Sequence, residues 1–262
     1  MARQADRYAL YQQAVQEPEL QCCFFDRVFR TTFGRRPEVL REDFCGTGAV
    51  CCEWVKGGRS RRAYGYDLDP EPLAWGERHN VAALEVDARR RLRFFREDVC
   101  RVTGPKADLI SAENFSYFGF HTRQSLLAYL RAARRNLAAE GLLVLDIMGG
   151  SGVQEEGIQG TRAERGFRYV WDLARFDPIN NHCTFHIHFR FRDGSELPRA
   201  FRYDWRLWTI PEVRELLLEA GFRRADVYWE GEGEDGEGDG IFRRREHAPY
   251  EPVWVAYVVG IK

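Results

Sequence analysis

The stretch VLREDFCGTG, residues 39–48, constrains the fold of this chain more than any other. It reads as a short strand, Val39–Phe44, that carries two acids and breaks into the glycine turn Cys45-Gly46-Thr47-Gly48, with a helix starting at Ala49. Glycine allows left-handed backbone and lets a ligand approach closely. The same unit then recurs. A strand at Arg62–Leu68 closes on Asp67, about twenty residues past the turn. Another, Arg91–Arg96, runs into Asp98, and a fourth, Ala107–Ala112, opens into Glu113-Asn114. Leu126, Leu130, Ala133 and Leu137 mark one helical face before the apolar strand Leu142–Ile147. Such alternation predicts a parallel sheet covered on both faces. All the strand ends then share its carboxyl edge, where ligands bind.

Each acid suits one part of a nucleoside. A carboxylate at the second strand end accepts from both ribose hydroxyls, and one after the third strand accepts from an adenine amino group. A nicotinamide dinucleotide site fits less well, because G-x-G-x-x-G would need glycine where Cys51 stands.

LREDFCGTG, AYGYDLDP, FFREDV and the terminal order strand–EAGF–strand–strand resemble a class I S-adenosylmethionine-dependent methyltransferase across residues 37–262. The resemblance implies an α/β fold: a doubly wound, Rossmann-like, seven-stranded mostly parallel sheet with an antiparallel last strand, plus a small antiparallel β insertion. It implies S-adenosyl-L-methionine as cofactor. Cys45, Gly46, Thr47 and Gly48 would line its methionine and ribose, and Asp67 with Leu68 its ribose hydroxyls. Asp98 and Val99 would meet the adenine, Glu42 the amino group, and Glu113 completes the expected set. Phe44 stands where the family has its first glycine, which leaves the choice between Glu42 and Asp43 open.

Methyl transfer from a sulfonium gains chiefly from alignment and water exclusion, so no catalytic triad is expected. The loop after the fourth strand offers Asn114, Ser116, Tyr117 and His121. Asn114-Phe115-Ser116-Tyr117 is loosely similar to the N-P-P-Y loop of enzymes that methylate exocyclic amines, without its prolines. Tyr117 and His121 are the expected catalytic residues; the plainer role for His121 is to cap the helix beginning at Thr122. Asn114 and Ser116 are expected at the acceptor, together with Tyr8 and Tyr11 from the N-terminal helices, which in this family commonly form a lid.

Residues 1–36 are accordingly expected as a helical lid, 37–148 and 209–262 as the cofactor-binding core, and 149–208 as an insertion capping the substrate. Within the insertion, 149–166 is rich in glycine and charge and reads as a mobile loop. Three strands with period-two apolar faces follow, led by Phe167, Cys183 and Leu197. His182, His186 and His188 share a face with Thr and Arg, which reads as a solvated surface, and no metal is expected. Residues 230–240, EGEGEDGEGDG, read as a flexible acidic tract.

Net charge bounds the partners. With 39 Lys+Arg against 40 Asp+Glu, the chain lacks the basic excess of a generic polyanion binder. Its arginine runs, Arg89-Arg90-Arg91 and Arg243-Arg244-Arg245, have no aromatic platform between them, so nucleic acid is not the expected partner. The N-terminal residues have no apolar signal region, no segment reaches the roughly 20 apolar residues of a membrane span, and the 7 cysteines lack framework spacing. A cytoplasmic protein with reduced cysteines is expected. The expected function is methyl transfer to an O or N atom of a small molecule. The rivals are a methyltransferase acting on RNA or protein and a non-catalytic nucleoside-binding regulatory domain. The oligomeric state stays open, a homodimer being one option.

Overall fold

The computed structural model describes residues 1–233 and 238–262. Helices α1 (Arg7–Val15) and α2 (Pro18–Phe33) come first. Pro18 sits in the first turn of α2, where its missing N–H costs nothing. The alternating region then runs β1 (Val39–Asp43), α3 (Ala49–Lys56), β2 (Arg62–Asp67), α4 (Pro70–Gly76), α5 (Val86–Arg89), β3 (Leu92–Arg96), β4 (Ala107–Ala112), α6 (Arg123–Asn136) and β5 (Leu137–Gly149). A run of strands follows: β6 (Gly157–Ala163), β7 (Phe167–Asp177), β8 (His182–Phe191) and β9 (Glu196–Arg206). The chain continues with α7 (Ile210–Glu219), β10 (Arg224–Glu232), β11 (Gly238–Arg245) and β12 (Trp254–Ile261).

The main sheet has the order β11-β10-β12-β5-β4-β1-β2-β3. Strands β1 to β5 pair in parallel, and β12 inserts antiparallel between β5 and β10. This is the expected doubly wound α/β sheet with an antiparallel last strand, carrying eight strands instead of seven. The addition is β11, antiparallel on the β10 edge. The second sheet, β6-β7-β8-β9, is antiparallel and has four strands instead of three. The expectation of a mobile loop over 149–166 is therefore corrected: part of it is β6, paired from Gly157 to Ala163 with β7. The flexible tract at 230–240 is corrected likewise, since β10 reaches Glu232 and β11 starts at Gly238; the tract's centre, 234–237, lies outside the described residues. Both added strands are edge strands. An edge strand buries little side chain, so its ladder hydrogen bonds decide, and these leave no hydrophobic signature.

Apolar residues fill both faces of the main sheet. On one side Leu126, Leu130 and Ala133 of α6 and Val213, Leu216 and Leu217 of α7 pack on it. On the other, Phe25, Val28 and Phe29 of α2 meet Val50 and Trp54 of α3 over Leu40, Leu142 and Val144. Helix α2 is thus a layer of the core, which corrects the reading of all 36 N-terminal residues as a lid. Only α1 lies toward the strand ends, where Ala14 packs on Phe167, Ile187 and Phe189 of the second sheet. Asp6 caps α1 through the Tyr8 and Ala9 N–H groups, at 2.9 and 3.2 Å, and its other oxygen accepts from Trp75 Nε1 at 2.6 Å.

Arg91, in the middle of a basic run, donates from Nη1 to the carbonyls of Val55, Gly58 and Arg61 at 2.7–2.8 Å. It closes the C-terminus of α3, a structural use of that charge. All seven cysteines are free thiols. Among the described residues no helix is long and apolar enough to cross a membrane.

Candidate active site

Strand β1 delivers Glu42 and Asp43 to the carboxyl edge with opposite orientations, as successive strand residues must. Asp43 turns inward: its Oδ1 meets Arg41 Nε at 2.6 Å and its Oδ2 accepts from the Tyr129 hydroxyl at 3.0 Å. Glu42 faces a cleft, and its Oε2 accepts the Cys51 N–H of α3 at 3.0 Å.

The turn that follows is built on left-handed residues: Phe44, Gly46 and Gly48 have φ of 59°, 52° and 64°. At Gly48 a Cβ would lie 2.0 Å from the Phe94 ring, so only glycine fits. Three contacts hold the turn. Gly46 N–H donates to Asp67 Oδ2 at 2.8 Å, Gln12 Nε2 donates to Thr47 Oγ1 at 2.6 Å, and Asn80 Nδ2 donates to the Thr47 carbonyl at 2.9 Å. Asn80 belongs to a π-helical turn, Glu77–Val81, that extends α4.

The cleft holds about 470 Å³ and is lined by Glu42, Cys45, Gly46, Thr47, Asp67 and Glu113 on the core side. Tyr8, Tyr11, Asn114 and Ser116 line it as well, so these ten expected residues converge on one space. Four of the expected cofactor residues do not line it. Gly48 is turned against Phe94. Leu68 is exposed, with its carbonyl accepting from Arg96 Nε. Asp98 Oδ1 accepts the Cys100 N–H at 2.9 Å. Val99 is buried, and its carbonyl accepts from Arg41 Nη2 at 3.0 Å.

Burial dominates the cleft's electrostatics. It pushes the Glu42 carboxyl up to about 7, against the pull of the Cys51 N–H. It raises Asp67, and it raises Glu113 well above the usual carboxylate range, where the charge of Asp146 adds to the effect. Glu113 Oε2 accepts from Gln21 Nε2 at 3.2 Å, while Glu113 Oε1 and Gln16 Oε1 are buried acceptors without a hydrogen-bond partner. Two unpartnered buried acceptors call for a hydrogen-bond donor, and a cationic one would draw the acids toward their ionised form. This donor set fits a group carrying an ammonium and a sulfonium beside a ribose. Glu42, Glu113 and Gln16 would hold the charged end, and Asp67 with the Gly46 turn the hydroxyls.

Beyond β4 the backbone takes two left-handed residues in succession, Asn114 (φ 55°) and Phe115 (φ 56°). Such strain persists only where the surroundings impose it. Here Asp146, at the end of β5, accepts the Phe115 N–H at 2.8 Å. Burial pushes Asp146 up to about 7. Ser116 Oγ donates to the Glu113 carbonyl at 2.7 Å.

The expected catalytic pair is corrected. Tyr117 is wholly buried, its hydroxyl without a hydrogen-bond partner, and burial with the charges of Asp146 and Glu113 raises its phenol further from ionisation. His121 points the other way: its Nε2 lies 2.8 Å from the Asp204 carbonyl and its ring 4.7 Å from His182. It does not cap α6 either, since Thr122 does so in a reciprocal box with Ser125.

Behind Tyr11, Asn114 and Tyr203, which line both spaces, lies a second chamber of about 320 Å³. Its wall is one face of the second sheet, with Tyr169 and Trp171 on β7 and Tyr203 and Trp205 on β9. Their period-two pattern marks alternating apolar positions but does not show that they enclose a space with α1 and the loop after β4. Gln12, Gln16, Gln21 and Asp146 left no signal, because a polar residue on a helix or at a strand end is ordinary.

On the opposite face of the second sheet, Asp172 pairs across from His186, and Asp172, His186 and His188 bring ligand atoms within 4.8 Å. His188 Nδ1, however, accepts the Arg199 N–H at 3.2 Å, so the neutral ring carries its proton on Nε2, toward Asp172. That proton occupies the lone pair a metal needs.

No protein-family model matches the chain, and no curated protein matches it by sequence. Solved structures do match. An S-adenosylmethionine-dependent methyltransferase from Clostridium acetobutylicum superposes with a TM-score of 0.67 at 16% identity, over 97% of this chain and 96% of that one. The sugar N-methyltransferase KedS8 from Streptoalloteichus gives 0.64 at 19% identity, over 98% and 93%. CalS10, an amino pentose methyltransferase from Micromonospora echinaspora, gives 0.62 at 18% identity, over 95% of each chain. The chain has the fold of the class I S-adenosylmethionine-dependent methyltransferases.

Proposed function

We propose that this protein is an S-adenosylmethionine-dependent methyltransferase acting on a nitrogen or oxygen of a small-molecule acceptor. The observation that carries the reading is the cleft on the carboxyl edge, where Asp67 faces the Gly46 turn and the Glu113 and Gln16 oxygens await a donor. When bound, S-adenosyl-L-methionine supplies a methyl group already activated on sulfur. The chain's part is then to hold, orient and keep dry. Asn114 stands where cleft and chamber adjoin, fixed by the strained loop that Asp146 clamps. Tyr11 and Tyr203 stand there too, and burial keeps both phenols protonated, so they act as walls and hydrogen-bond donors, not bases. A chamber of about 320 Å³ favours a small acceptor over a polymer.

Calorimetry with S-adenosyl-L-methionine and S-adenosyl-L-homocysteine tests the reading. Micromolar binding of both, weakened at least about tenfold by Asp67→Ala, is the expected result. Absence of binding by the wild-type protein overturns it.

A further inference from the structure

The second chamber bears on the acceptor, and its chemistry is unlike a sugar's. Six aromatic rings face it: Tyr11, Phe115, Tyr169, Trp171, Tyr203 and Trp205. They form a continuous surface. Tyr203 and Trp205 stack at 4.5 Å between centroids, and Trp171 lies 5.9 and 6.0 Å from them. The mouth is apolar too, since Val253 and Val255 line the chamber and are 54% and 41% exposed. Among the described residues lining it, the polar side-chain groups are the amides of Asn114 and Gln159, the tyrosine hydroxyls and the indole N–H groups of Trp171 and Trp205; no carboxylate, imidazole or ammonium is among them.

Two consequences follow from elementary chemistry. A polyhydroxylated ring would lose its water here without enough partners to replace it. A flat aromatic ring would instead gain contact with this aromatic wall. The chamber itself offers no group to strip a proton from an acceptor, which suits an aromatic amine, whose lone pair is already free at neutral pH.

Resting on the methyltransferase reading, we propose that the chamber binds a flat aromatic amine and presents its nitrogen past Tyr11 and Tyr203 toward the cleft. In the transfer, the nitrogen lone pair forms the new N–C bond. The sulfur–carbon bond breaks with its pair going to sulfur, and the proton of the methylated nitrogen leaves to water.

The test uses aminonaphthalene and D-glucosamine as probes against the full-length protein. Tryptophan fluorescence reads binding without turnover, and mass spectrometry after incubation with S-adenosyl-L-methionine reads methylation. Aminonaphthalene is expected to quench the fluorescence saturably and to gain a methyl on nitrogen, and glucosamine to do neither. Trp171→Leu is expected to weaken aminonaphthalene about tenfold while calorimetric binding of S-adenosyl-L-methionine stays unchanged. If that variant does not fold, Tyr169→Leu is read in the same way. Methylation of glucosamine, or no aminonaphthalene binding by a protein that binds S-adenosyl-L-methionine normally, overturns the proposal but not the methyltransferase reading. Loss of S-adenosyl-L-methionine binding by the wild type overturns that reading itself.

Discussion

The Asp146 carboxylate accepts the backbone N–H of Phe115 at 2.8 Å, tying the end of β5 to the loop after β4. That bond helps hold two consecutive left-handed residues, Asn114 and Phe115, against their own preference. Asp146→Ala is expected to cost about 1–3 kcal/mol of stability, the range for orphaning a buried partner. It is also expected to lower kcat more than it raises KM for the methyl donor, because the loop carries the acceptor side. Asp146→Asn keeps an accepting oxygen and should retain most of both. Urea denaturation and steady-state kinetics check the pair.

Buried acids give the protein a pH signature. Glu42 and Asp146 are both held near 7, against ordinary values of 4.5 and 3.8. Between those values and about 7, the folded state keeps protons that the unfolded chain has released. Stability of the unliganded protein therefore falls as pH rises through this window and levels off above it. A cationic ligand prefers the ionised acids, so affinity for S-adenosyl-L-methionine should rise over the same window. Thermal denaturation and calorimetry at about pH 5.5 and pH 8 measure the two trends, and a Tm that climbs with pH contradicts the assignment.

Arg41 and Asp43 form an ion pair with side chains 2% and 0% exposed, under the glycine turn. Arg41→Ala leaves Asp43 without its cation and is expected to cost about 3–5 kcal/mol. Replacing both partners, Arg41→Met with Asp43→Leu, should recover a large part of that loss. Chemical denaturation of the two variants decides between an uncompensated charge and a simple cavity.

Gly46 and Gly48 share left-handed backbone but differ in surroundings. Alanine at either is expected to cost about 1–2 kcal/mol in conformational strain. At Gly48 the contact with Phe94, 2.0 Å from the added Cβ, adds about 1–3 kcal/mol of overpacking. Equal losses at the two sites would contradict the packing at Gly48.

Gln12 ties α1 to the glycine turn, through its 2.6 Å bond to Thr47 Oγ1. Gln12→Ala should lower stability by only about 0.5–1.5 kcal/mol. It should raise the dissociation rate of S-adenosyl-L-methionine more visibly, as loosening a cover would. Stopped-flow release separates this from a change in the binding groups themselves.

How far these features were readable differs by kind. The β1–turn–α3 unit and the helix stripes were legible because glycine and apolar period are local signals. Convergence of Glu42, Asp67 and Glu113 follows from topology in a parallel sheet, whose strand ends share one edge. Tyr117 misled because a polar–aromatic loop residue looks available, and only packing shows its hydroxyl enclosed. Strands β6 and β11 were missed because edge pairing draws on backbone groups every sequence has. The His186 and His188 pair gained its carboxylate from β7, a neighbour that register decides and spacing along the chain does not.

Strand β12 lies between β5 and β10, and Tyr257 on it stacks on Phe24 of α2 at 4.3 Å. A chain emerging in order therefore completes β5 more than a hundred residues before its neighbour exists. Until residues 254–261 arrive, β5 presents a bare, apolar edge of the kind that pairs with other chains. The step that closes the sheet between β5 and β10 is thus also the step that ends the exposure of this edge. Slow synthesis of the last strand should be more damaging to yield than slow synthesis of any earlier one.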